Sequence, residues 1–302
     1  MMNRFAKTID GRLYTMLKDV FDPRQVMTER YCEFHHSYND TPPTIEFHQH
    51  PFYEIFFFIS GNVNYIIEGR SYKLRPGDIL LTSNADIHRP EVRPGKPYER
   101  FVIWLADDFF DHLRRFSGED FTACFTDAAL RDYRLIRPDD SSLIRLRQLC
   151  EQMGEAQSSG QLGSAALTQA YLIEFLVRVC RAYYDTPESV KNDITEDEKI
   201  NQVLGYINDN LSDALTLDAL AGRFYTSKFH LSRRFKQFTG LTIYQYIMKK
   251  RLIVARNMLR AGQSVTSSYL QCGFNDYSNF LKAFKREFGR NPSVYCKNAE
   301  NG

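Results

Sequence analysis

The sequence predicts an α+β chain: an N-terminal β-barrel with accessory helices, followed by an all-α domain of two helix-turn-helix units joined by a long helix. Three observations predict it. Residues 45–105 alternate short apolar runs with glycine-marked turns. Residues 227–240 and 276–289 repeat one helical pattern at a constant offset. Charge is also unevenly divided, since residues 197–298 hold 16 Lys+Arg against 7 Asp+Glu, net +9, while the rest hold 23 against 30, net −7, behind a total of +2.

At 302 residues the chain has room for two domains or slightly more. The expected division is 1–184, with the barrel over about 30–110 and helices over about 141–184, then a linker at 185–196, then a domain at 197–302. The barrel strands are "FYEIFFFIS", "NVNYIIE", "RSYKLR", "DILLTS" and "YERFVIWL", punctuated by Gly61, Gly69 and Gly77. Residues 141–184 have helical periodicity. Leu167, Tyr171, Leu172, Ile173, Phe175, Leu176, Val177 and Val179 make the second of these helices apolar over much of its circumference. Such a helix must be buried, either on the barrel or on a second copy of the chain. The following "DTPESVKNDITEDE" is polar, lacks aromatics and reads as the linker.

In the basic third, "LTLDALAGRFYTS" supplies a short helix with Leu217, Leu220, Ala221 and Phe224 apolar, then a tight turn into Ser227 as the cap of the next helix. "SKFHLSRRFKQFTG" matches residues 276–289 position by position: Ser227 with Asp276, Leu231 with Phe280, Arg233 with Lys282, Phe235 and Lys236 with Phe284 and Lys285, Gly240 with Gly289. In the second copy Phe280, Phe284 and Phe288 recur every four residues as one buried stripe, and Ser278, Asn279, Lys282, Lys285 and Arg286 project elsewhere. A solvated basic face is the ordinary reading of one such helix. Two copies, each behind a short helix and a turn, point instead to a pair of helices that enter the DNA major groove.

Between the copies "LTIYQYIMKKRLIVARNMLRAG" has no internal Pro or Gly and predicts one continuous helix. About 20 residues span about 30 Å, close to the roughly 34 Å between successive major grooves on one face of B-DNA. Arg233 is suited to direct readout, because a guanidinium can bond guanine O6 and N7 together. Leu281 could contact a thymine methyl or belong to the core. Lys236, Lys249, Lys250, Arg251, Lys285 and Arg286 are expected at phosphates.

On these residues, 197–298 resembles the DNA-binding domain of the AraC/XylS family of bacterial transcription regulators, through "LDALAGRF", "SKFHLSRRFKQFTG", "YIMKKRLIVARNML", "CGFNDYSNFLKAFKREFG", Pro292 and Tyr295. The resemblance implies base contacts by Phe229, Ser232 and Arg233 in the first unit and by Tyr277, Ser278, Leu281 and Lys282 in the second. Ser268 and Tyr269 depart from it. They stand where an Ile and a small Ala are usual, which predicts looser packing of the second unit.

"HQHPFYEIFFFISG" spaces His48, His50, Glu54 and Gly61 as H-x-H-x3-E-x6-G, and His88 ends "GDILLTSNADIH". This is similar to the cupin motifs, in which such residues bind a metal inside a small barrel, so the barrel is expected to be cupin-like. Ser83, Asn84 and Ala85 stand where Pro and Gly are usual, which leaves the path of the loop before His88 open. Three roles for the four residues remain open: a divalent metal site of iron, manganese or zinc, hydrogen bonds to a polar ligand such as a sugar, or satisfaction of backbone groups at strand ends.

Residues 1–10 have no apolar core suited to a signal peptide and no stretch approaches 18 uninterrupted apolar residues, so a cytoplasmic protein without membrane partners is expected. Six scattered cysteines with no C-x-x-C pair fit reduced thiols. No phosphate-binding or dinucleotide fingerprint is present. The resemblance implies a regulator, not an enzyme, that binds operator DNA under control of a small-molecule effector, dimerises through residues 141–184, and meets RNA polymerase if it activates. The alternative is a metal-dependent cupin enzyme, an isomerase or dioxygenase, carrying a DNA-binding domain.

Overall fold

The computed structural model describes residues 4–9, 12–17, 25–41, 44–130 and 133–296. The segment 1–10 read for a leader falls partly outside these residues, as does the end of the second domain at 297–302. The chain forms two compact units, one up to Thr195 apart from the Glu68–Arg70 turn, the other from Glu196 onward with that turn.

The first unit opens with an antiparallel hairpin of β1 (Arg4–Ile9) and β2 (Arg12–Leu17). Its two main sheets come from β3 (Cys32–Asn39), β4 (Tyr53–Ser60), β5 (Val63–Ile67), β6 (Arg70–Lys73), β7 (Ile79–Thr82), β8 (His88–Val92), β9 (Tyr98–Leu105), β10 (Leu135–Ile136) and β11 (Ile194–Thr195). One sheet has the order β10-β7-β4-β9-β3, the other β11-β6-β5-β8. Alternation along β4 explains why "FYEIFFFIS" is apolar almost throughout. Phe56 and Phe58 join Val63, Tyr65, Ile67, Tyr72 and Tyr98 in a core between the sheets. Ile55 and Phe57 face the opposite way, into a second core built with α1 (Asp107–Ser117), α2 (Ala123–Leu130), α3 (Asp140–Ser159) and α4 (Ser164–Asp185).

The apolar α4 is accounted for largely by this second core. Leu172, Phe175, Leu176, Val179 and Tyr183 are buried against the sheet and its helices, while Leu167 remains 49% exposed. The stretch expected to be a linker is instead mostly folded onto the first unit. Residues Glu188–Asp193 form a 3-10 turn that buries Val190, and β11 pairs with β6. Asp193 accepts from Arg137 at 2.8 Å and pairs with Arg75 at 2.7 Å, which fixes the turn with charge.

The second unit is all helical: α5 (Glu198–Asp209), α6 (Leu217–Arg223), α7 (Lys228–Thr239), α8 (Ile243–Arg260), α9 (Val265–Gln271), α10 (Tyr277–Phe288) and α11 (Pro292–Cys296). Its helix ends follow the sequence closely. Ser227 accepts from His230 N and Asp276 from Asn279 N, while Gly240 and Gly289 close α7 and α10 in the left-handed conformation at φ 72° and 71°. α8 begins with a Thr242–Gln245 capping box and runs 18 residues without a break, about 27 Å at the usual rise.

The second unit's core is filled despite Ser268 and Tyr269. Ser268 is fully buried and donates its hydroxyl to Ser264 O at 2.9 Å, so this hydroxyl enters the core already paired. The Tyr269 ring packs edge-on against Tyr277, centroids 5.2 Å apart, and lies 6.0 Å from Phe280. Leu252, Ala255, Leu259, Cys272, Phe274, Phe280, Ala283 and Phe284 complete the cluster.

Candidate nucleic-acid interface and sensor site

The two repeated helices bury one face and expose the other. On α7 Leu231 and Phe235 are buried, Phe229 is 76% exposed, Arg233 and Lys236 are exposed, and Ser232 is half-buried. On α10 Phe280 and Phe284 are buried, whereas Tyr277, Ser278, Lys282, Lys285 and Arg286 are exposed. Leu281 is partly buried and packs against the core cluster, so its apolar surface is shared between core and solvent. Phe288 likewise packs against that cluster while only partly buried.

The basic run on α8 does not join this surface. Lys249 pairs with Glu287 of α10 at 2.5 Å. Lys250 is 8% exposed with its ammonium 5.6 Å from the Tyr246 ring. Arg251 donates to Leu211 O at 2.8 Å and to Asp213 O at 2.6 Å, holding the chain that leaves α5. These three side chains, expected at phosphates, are thus committed within the fold. The reason is geometric, because consecutive helical residues point about 100° apart and cannot share one face.

In the first unit the four motif residues of the barrel lie together. A backbone bridge joins His48 and His88, with N–H to O distances of 3.0 Å in both directions, and sets their ring centroids 4.4 Å apart. The His50 centroid lies 4.9 Å from that of His88, and its ring stacks on Phe52 at 4.0 Å. The loop before His88 is shaped without Pro or Gly: Asp86 accepts from Ser83 N at 2.7 Å and from Arg134 at 2.7 and 3.0 Å. Gln49 ties the loop to the His48 segment through Asn84 O at 2.6 Å.

Each of the three imidazoles has Nδ1 against a backbone carbonyl, His48 at Glu46 O (2.8 Å), His50 at Phe52 O (2.9 Å) and His88 at Asp86 O (3.1 Å). A carbonyl only accepts, so each Nδ1 carries a proton and donates, which in the neutral form of the ring puts the lone pair at Nε2. Burial lowers the His88 pKa to about 4 and holds His48 well below its ordinary value, in both cases helped by neighbouring imidazoles. Nε2 of His50 and of His88 is buried without a hydrogen-bond partner. Ligand nitrogens of all three rings fall within 4.8 Å of one another, an arrangement that fits a metal ion.

Glu54 is placed differently. Its Oε1 accepts from Tyr65 O–H at 3.1 Å and its Oε2 from Trp104 Nε1–H at 2.8 Å, with Oε2 3.4 Å from His50 Nε2. Trp104 and Tyr65, missed in reading the sequence, therefore belong to the site. So does the buried Arg100, which donates to Asn39 Oδ1 at 2.5 Å with its guanidinium 4.0 Å from the Tyr98 ring centre. Strand parity was the available signal, since Tyr98, Arg100 and Trp104 alternate along β9 with residues facing the helices.

A barrel enclosing a polar cluster and a helical unit exposing two repeated basic helices define a DNA-binding regulator with its own sensor domain. Sequence resemblance to known families agrees. Residues 33–176 match the AraC-like ligand binding domain and residues 220–298 match a helix-turn-helix domain. The chain is 26% identical over 249 residues to the HTH-type transcriptional activator RhaS of Escherichia fergusonii, covering 81% of this chain and 85% of that protein. The RhaS of an Enterobacter species is 28% identical over 247 residues, with the same shares covered. Among solved structures, ToxT from Vibrio cholerae aligns over 89% of this chain and 98% of its own at 15% identity and a TM-score of 0.35. The chain belongs to the AraC family of transcriptional regulators: a sequence-specific DNA-binding protein controlled by an effector. Among the described residues no helix is long and apolar enough to cross a membrane.

Proposed function

We propose that this regulator is a cytoplasmic transcriptional activator without enzymatic activity of its own, that its effector is a small polyhydroxylated molecule of the sugar class held in the barrel, and that it works as a homodimer. The observation that carries the effector reading is the buried polar cluster of Glu54, Tyr65, Trp104, Arg100 and Asn39, which offers charged and neutral hydrogen-bonding groups beside aromatic faces. A ligand with several hydroxyls can use the donors and acceptors of such a lining, whereas an apolar ligand can use none of them. Activation is supported by the RhaS relatives, which are described as activators, and implies a contact with RNA polymerase. Dimerisation is supported by apolar surface on the helical layer, where Ile144 is 61% and Leu167 49% exposed.

For base contacts the proposal takes Phe229, Ser232 and Arg233 on α7 and Tyr277, Ser278, Leu281 and Lys282 on α10. It keeps Lys236, Lys285 and Arg286 for phosphates, since these three are exposed. The test is selection of random duplex DNA by the full-length protein with and without a panel of sugars. Two short enriched blocks about 10 bp apart, with retention changed by one sugar, are expected. Enrichment unaffected by any sugar would remove the sugar reading and leave the DNA reading intact.

A further inference from the structure

We propose that Cys124 and Cys180 are an oxidisable pair that closes into an intrachain disulfide when the protein meets a peroxide. The two residues are 56 positions apart in the chain, yet their sulfurs lie 2.8 Å from each other. Unbonded carbon atoms rest at roughly 3.5–4.0 Å and bonded sulfurs at about 2.05 Å, so less than about 1 Å of travel separates this contact from a bond. All six cysteines are free thiols, and among the described residues no other two of them are in hydrogen-bond contact with each other.

The helices present the pair independently of the sulfurs. Cys124 and Asp127 lie three apart on α2, and Cys180 and Tyr184 four apart on α4, so each couple shares one face of its helix. Tyr184 O–H donates to Asp127 Oδ2 at 2.9 Å, a second tie between the same two faces. Phe125 and Val179, next to the thiols in sequence, are buried in the core that joins the helices to the sheet. Cys124 Sγ is also held by Phe121 O at 3.3 Å.

An oxidant can reach the pair. A cleft of about 190 Å³ is lined by both thiols together with Glu119, Asp120, Phe121 and Tyr184. That is several times the roughly 30 Å³ share of one water, and so ample for hydrogen peroxide. Cys180, 9% exposed, is more open than Cys124 at 1%. Its sulfur attacks one peroxide oxygen: an S–O bond forms, the O–O bond breaks, and the departing hydroxide takes the thiol's proton to become water. The Cys124 sulfur then attacks the Cys180 sulfur, forming S–S as S–O breaks, and the second hydroxide leaves as water with the Cys124 proton. The two thiols give up two electrons and the peroxide takes them. Contact with Cys180 and burial push the Cys124 thiol up, and the cleft is acidic, so thiolate is scarce and closure needs sustained oxidant. Once made, the bridge fastens the end of α4 that leads into the 3-10 turn at Glu188–Asp193.

The test exposes the reduced full-length protein to hydrogen peroxide under native conditions, then denatures it, blocks the remaining thiols with N-ethylmaleimide and maps the peptides. Label is expected on four of the six cysteines, with a peptide pair linked through Cys124 and Cys180 that dithiothreitol removes. Absence of that link after both peroxide and the thiol oxidant diamide overturns the proposal, as does a dominant link between other cysteines. Both readouts use the wild-type chain, so neither depends on a variant folding. In Cys124→Ser the first step has nothing to resolve it, and dimedone should label Cys180. No label there, with the wild-type link present, overturns the order of the two steps.

Discussion

Arg233 stands exposed in the middle of α7, with Leu231 and Phe235 on either side of it in sequence turned into the core. Its backbone is held by that core, so truncating the side chain should alter what it touches and little else. Arg233→Ala is expected to relax base preference at one position of the first half-site at a cost of about 1–3 kcal/mol, read by competition among operator variants. An unchanged preference there would assign Arg233 to phosphate contact. Glu33 gives a prediction of a different kind. Its carboxylate accepts from Thr28 N, Thr28 Oγ1, Glu29 N and His35 Nε2. Although burial alone would raise its pKa, those bonds bring it down to about 2. Because the folded value lies below the unfolded one, the stability it contributes is full above about pH 4.3 and is lost as pH falls toward 2. Allowing for solvent screening, Glu33→Gln should cost about 1–2 kcal/mol at pH 7. Chemical denaturation at pH 7 and pH 2.5 should show the difference between variant and wild type shrinking at the lower pH.

At the scale of the element, the two helix-turn-helix units are not identical. In the first turn Tyr225 takes the left-handed conformation at φ 48°, and in the second Gly273 does so at φ 76°. Tyr225 is tolerated because its side chain is 94% exposed. Gly273 is required, since a Cβ there would lie 2.5 Å from Leu211 O and 2.9 Å from Ser212 O. Gly273→Ala should therefore destabilise the second domain by roughly 2 kcal/mol or more, seen as a lower melting temperature with loss of DNA binding. Unaltered melting would mean that the chain after α5 moves aside. The elements differed in how legible they were. The ends of α7 and α10 could be read because caps and closing glycines act locally, within a turn of the residue that causes them. The 3-10 turn and β11 could not. Their order comes from two apolar residues, the buried Val190 and the partly buried Ile194, and from partners more than fifty positions away in Arg137, Arg75 and β6. In the barrel the histidine and glutamate spacing was readable, but that Trp104 and Tyr65 hold Glu54 depends on strand pairing that no local pattern records.

For the whole molecule, a net charge of only +2 conceals a DNA-binding third at +9. Electrostatic attraction to DNA is thus concentrated in one domain, and the acidic remainder opposes indiscriminate binding. Operator affinity should fall steeply with salt, and Lys285→Ala should weaken binding about equally on all sequences while reducing the slope of log K against log salt by about 1. Filter binding over a salt series measures both. A variant whose slope is unchanged would show that Lys285 does not displace a counterion.

The unbroken α8 has a further consequence for the DNA. With α7 and α10 as the proposed reading helices, two heads set on one unbroken helix keep a fixed phase, and a helical rod cannot be stretched by part of a residue. DNA is a screw as well, and one added base pair between the two blocks turns the second by about 34° as it moves it away. A regulator with a slack connection could absorb that slip. This one has to tolerate the mismatch or release one block, so the distance between the blocks is as much a part of its operator as the bases within them.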